Sequence, residues 1–85
     1  MSSSARRVKE ILQQLRDNPG EATLFVESMS ELNNLIRQGS VEALEATLPY
    51  HPGLRIEVLY AVLASGRSDF FDRTIGYFLF GANYS

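Results

Sequence analysis

The sequence predicts an all-α protein, a compact bundle of four to five short helices, and three observations carry that expectation. Apolar residues recur at i, i+3, i+4 and i+7 along most of the chain, which is the spacing of one helix face. Glycine and proline stops punctuate the pattern at short intervals, at Pro19-Gly20, Gly39, Pro49, Pro52-Gly53, Gly66 and Gly81. No two alternating apolar runs flank a tight turn, so there is no hairpin signal. With 85 residues, 45% of them hydrophobic and 21% charged, the composition is that of one ordinary globular domain spanning residues 1–85.

The first helix is expected near residues 4–17, where Val8, Ile11, Leu12 and Leu15 form one stripe behind a cap at Ser3 or Ser4. It stops at Asp17-Asn18-Pro19-Gly20, because Pro19 disfavours a helical conformation at Asn18. The second covers 21–38, with Phe25, Met29, Leu32, Leu35 and Ile36 in register and Gly39 as its stop. Within it, Ser28 and Glu31 form a capping-box pattern that would restart the helix. Ser40 caps a short third helix, 41–48, which carries Val41, Leu44 and Leu48 and breaks at Pro49 before the turn Tyr50-His51-Pro52-Gly53. The fourth, 54–65, is apolar almost all round, with only Arg55 and Glu57 charged, and such a helix is expected at the centre of the bundle. Ser68 caps the fifth, 69–80. The expected core is Leu12, Leu15, Phe25, Met29, Leu32, Ile36, Leu44, Val58, Leu59, Val62, Phe71, Ile75 and Phe78.

The fifth helix carries the functional expectation. Six of the nine aromatic residues fall in the last sixteen positions. Phe71, Ile75, Phe78 and Leu79 share one arc, while Phe70 and Tyr77 lie about 100° round from it and Phe80 further on. One stripe is enough to dock a terminal helix, so the second needs either a broad groove between two other helices or another molecule, and contact with another molecule is the expectation. Phe70, Tyr77 and Phe80 are thus the expected partner-binding residues, with Tyr84 on a tail that orders on contact.

Residues Val41 to Gly66, a leucine-bearing helix, a turn containing Pro52, Arg55 just inside a second helix and alanine-rich apolar spacing after it, resemble the helical hairpin of a HEAT repeat. That resemblance implies a protein-binding scaffold. The stretch Leu54-Arg55-Ile56-Glu57-Val58-Leu59-Tyr60 followed by Gly66-Arg67-Ser68-Asp69 also resembles the opening of a winged helix-turn-helix domain of the small bacterial regulator type, which would imply DNA binding. The helix that follows departs from that family's pattern, since only Arg73 there has the side chain that base readout needs.

Composition excludes much else. Eight basic against ten acidic residues, net −2, supply no basic footprint for phosphate neutralisation. Without cysteine there is no disulfide or thiolate metal site, and the single histidine, His51, cannot build a histidine-rich one. No residue constellation nominates a catalytic centre, a metal site or a cofactor, and Arg6, Arg7 and Lys9 read as a solvated helix start. Gly66-Arg67-Ser68-Asp69 reads as an ordinary cap, because Asp69 already occupies the positive helix end. No apolar run makes a signal peptide or a membrane span, so a cytoplasmic protein is expected. A core this small leaves a narrow margin over conformational entropy, and association with itself as a homodimer or with another protein is the remaining common route to stability. The expected function is therefore a non-enzymatic protein-interaction module, an adaptor, chaperone, inhibitor or assembly factor, with a truncated helix-turn-helix regulator as the alternative.

Overall fold

The computed structural model describes residues 3–50 and 55–81, and these form five helices: α1 (Ser3–Asp17), α2 (Ala22–Arg37), α3 (Val41–Thr47), α4 (Arg55–Ser65) and α5 (Ser68–Phe80). Each lies within a residue or two of its expected place. No strand occurs among the described residues.

α2 is the hub, packing against α1, α3 and α4, while α5 packs on α4. The core takes Val8 and Ile11 from α1, Met29, Leu32 and Ile36 from α2, and Ala43 and Leu44 from α3, with Leu48 just beyond α3. Val58, Ala61 and Val62 come from α4 and Phe70 from α5. Leu12, Leu15, Phe25, Leu35 and Tyr77 pack partly buried around it. The Phe25 and Tyr50 rings meet at 5.8 Å and 59°, a tilted aromatic pair beside the α2 N-terminus.

The turns are specified by few residues. Past α2, Gly39 sits at φ +94°, its N–H donates to Ile36 O at 2.9 Å and Ser40 N–H donates to Leu35 O at 3.0 Å. This is the Schellman arrangement, which satisfies the last carbonyls of a helix and needs a left-handed residue at that position. Ser40 then caps α3 as expected, its Oγ accepting from Ala43 N–H at 3.2 Å. Other cap expectations fail. α1 already includes Ser3 and Ser4, and Ser68 is the first residue of α5, not its cap. Ser28 does not restart α2. It is buried inside a continuous helix, and Glu31 faces α1 instead.

Glu31 is held by a two-pronged contact from Arg7, whose Nε donates to Oε2 and whose Nη2 donates to Oε1 at 2.7 Å. The Arg7 hydrogen bonds hold the Glu31 carboxyl below its ordinary range, outweighing the opposing effect of burial, and Glu31 raises Arg7 in turn. A carboxylate depressed in the folded state contributes stability that is full above its unfolded pKa and lost as pH falls through the folded value. Both side chains are 39% exposed, so screening holds the contribution to about 0.5 kcal/mol. Glu31→Gln is expected to lower stability by about 0.5 kcal/mol near neutrality and to leave it unchanged in acid, where Glu31 is protonated in both states, as read by urea unfolding at neutral and at acid pH.

Candidate functional site

The sequence-nominated residues do not form one surface. Phe70 is 1% exposed and belongs to the core, Tyr77 is half-buried against that core, and Phe80 is exposed at the end of α5. Tyr84 lies outside the described residues, as does His51. Phe71, expected in the core, is instead 41% exposed, and Ile75 and Phe78 are only half-buried. α5 is therefore rotated by roughly one residue from the expected register, about 100°. The inward face is Phe70, Thr74 and Tyr77, and Leu79 points to solvent.

What permits this rotation is visible at Thr74, which is fully buried although a polar residue would be expected outside. Its Oγ1 donates to the Phe70 carbonyl at 2.8 Å, so the hydroxyl is satisfied within its own helix and needs no water. Thr47 does the same in α3, donating to the Ala43 carbonyl at 2.7 Å. Arg67 fixes the rotation from outside. Its guanidinium stacks over the Phe70 ring at 4.3 Å, donates from Nη1 to the Gly39 carbonyl at 3.1 Å, and forks onto Asp69 at 3.1 and 2.6 Å. Those Arg67 hydrogen bonds hold the Asp69 carboxyl below its ordinary range. The start of α5 is thereby filled by its own charges, although no side chain caps it.

α4 supplies the surface that sequence reasoning missed. It is not central: Val58, Ala61 and Val62 face inward, and the opposite side is open. Ile56, Tyr60 and Leu63, spaced i, i+4 and i+7, form an outward stripe with each side chain between 63% and 65% exposed. On one side, a groove of about 270 Å³ runs between Glu57 and Tyr60 of α4 and Val26, Ser30, Asn33, Asn34 and Arg37 of α2. Val26 is 66% exposed at its end and also borders an apolar cleft of about 380 Å³, lined by Leu15, Pro19, Ala22, Phe25 and Tyr50 among others. On the other side, Leu63 and Phe71 share a depression with Gly66, Arg67 and Ser68. The exposed apolar band thus runs from Tyr60 through Leu63 to Phe71, with Val26 facing it across the polar-lined groove. The signal was present as a second stripe on an all-apolar helix, but periodicity alone does not say whether this chain or another molecule covers it.

Among the described residues no group of three or more His, Asp or Glu side chains is placed to hold a metal ion, and no helix is long and apolar enough to cross a membrane. Arg6 and Lys9 are exposed on α1, and Arg73 lies 3.9 Å from Glu45 at the surface. In comparisons with known proteins, the chain matches no protein-family model, no curated protein and no solved structure.

Proposed function

We propose that this chain is a small, non-enzymatic protein-interaction module, of the adaptor, chaperone, inhibitor or assembly-factor kind, that docks through the outer face of α4 and the adjoining Phe71. The supporting observation is the Ile56–Tyr60–Leu63 stripe, three large apolar side chains mostly open to water on one face. Contiguous apolar surface of this kind is uncommon on a small monomer and marks interaction sites, and an aromatic residue flanked by aliphatic ones and a polar rim is the usual make-up of a binding hot spot. The aromatic C-terminal helix contributes to that surface through Phe71, while Phe70 acts from within by seating the helix. The cytoplasm is part of the same reading, which the absence of cysteine does not contradict.

Affinity capture from the native lysate tests it, using the tagged chain beside a Tyr60→Glu/Leu63→Glu variant whose helicity and melting temperature are first matched to the parent. A stoichiometric protein, whether a foreign chain or untagged copies of this one, is expected on the parent and absent from the variant. Equal recovery from both, or recovery of nothing from either, overturns the reading.

A further inference from the structure

We propose that the outer face of α4 is the interface of a symmetric homodimer, in which two copies lay their α4 helices antiparallel about a two-fold axis passing at Tyr60. The proposal rests on the reading of that face as a protein-binding surface and names its occupant as a second copy of this chain.

Area is the first argument. Val26, Ile56, Tyr60, Leu63 and Phe71 together expose on the order of 600 Å², set on the two sides of the groove. A stable interface takes about 800 Å² from each partner, which leaves roughly 200 Å² for the polar residues around the groove to supply. The whole chain exposes only 5281 Å², so the surface would cover a substantial share of one face.

Charge placement is the second, and it selects the second copy and the antiparallel arrangement. The middle of the stripe carries no charge, and the groove beside it carries one anion, Glu57, and one cation, Arg37. Neither has an ion-pair partner among the described side chains. The two sit toward opposite ends of the groove. The Arg67 hydrogen bond to the Gly39 carbonyl places the C-terminal end of α2, where Arg37 lies, beside the C-terminal end of α4, whereas Glu57 is in the first turn of α4. A two-fold axis across α4 at Tyr60 exchanges those ends while keeping α2 over α2. It brings Glu57 of each copy toward Arg37 of the other, twice by symmetry, and packs Ile56 of one copy near Leu63 of the other. A self-complementary surface needs one opposite charge for each charge on its rim, and this groove has that pattern.

Sedimentation equilibrium of the purified chain tests the proposal. The parent is expected to be a dimer, and Leu63→Glu, at a side chain open to water, is expected to raise the dissociation constant more than about 100-fold with helicity unchanged. Arg37→Glu and Glu57→Arg are each expected to raise it about tenfold, through two like-charge contacts. Mixing these two single variants is expected to restore dimerisation, because each then presents to the other the charge it needs across the axis. A monomeric parent at the highest soluble concentration overturns the proposal, as does a dimer that survives Leu63→Glu. Failure of the mixture to recover affinity overturns the two-fold pairing. If the purified chain is monomeric while lysate capture retains a foreign protein through Tyr60 and Leu63, the docking face stands and the second copy is excluded as its occupant.

Discussion

Phe70→Ala is expected to lower the unfolding free energy by about 3–5 kcal/mol, whereas Phe71→Ala, one residue along, is expected to change it by less than about 1 kcal/mol. The asymmetry follows from position alone, since the two side chains are identical. Phe70 is 1% exposed inside the core that also holds Val58, Ala61 and Val62 of α4, while Phe71 stands 41% exposed beside Leu63. Truncating Phe70 removes a large buried ring, leaves a cavity that the short α5 cannot easily collapse, and strips the Arg67 guanidinium of the face it stacks on. A domain of this length has roughly 4–13 kcal/mol in total, so the loss would leave a measurable fraction of chains unfolded at room temperature. Urea unfolding of both variants, at a concentration low enough to keep association out of the comparison, reads the difference. Equal losses, or the larger loss at Phe71, would show that α5 faces the other way.

The α5 register was not legible in the sequence for an identifiable reason. Two adjacent arcs of that helix are about equally apolar, Phe70 with Tyr77 and Phe71 with Ile75 and Leu79, so the wheel offers two solutions about 100° apart. Polar residues normally break such a tie. Here Thr74 and Gly76 are buried, and Thr74 manages this by bonding its hydroxyl to the helix carbonyl four residues back. α4 failed differently. An all-apolar helix is expected to be surrounded, but four other short helices do not surround it, because α2 and α5 pack on it while α1 and α3 gather on α2. The apolar surplus on Ile56, Tyr60 and Leu63 was in plain view as residues and hidden as a site, since only the packing shows which half of the helix this chain leaves uncovered.

Where one arc dominates, sequence and structure agree, and the second large effect lies there. Leu32→Ala is expected to cost about 2–5 kcal/mol, against less than about 1 kcal/mol for Val26→Ala on the same helix. Phe25, Met29, Leu32 and Ile36 define a single α2 stripe with no competing arc, and all four pack in or against the core. Leu32 is fully buried in the core on the helix that touches α1, α3 and α4, so shortening it leaves a cavity at the hub of the bundle. Val26 lies outside that stripe and loses little, because its side chain already meets water. Thermal unfolding separates the two: about 1 kcal/mol shifts the midpoint of a domain this size by about 4–8 °C, so Leu32→Ala should fall by well over 8 °C and Val26→Ala should remain near the parent. A large fall for Val26→Ala, concentration-dependent and abolished in a Leu63→Glu background, would instead reveal that the exposed band is already covered by a second copy under the conditions of the measurement.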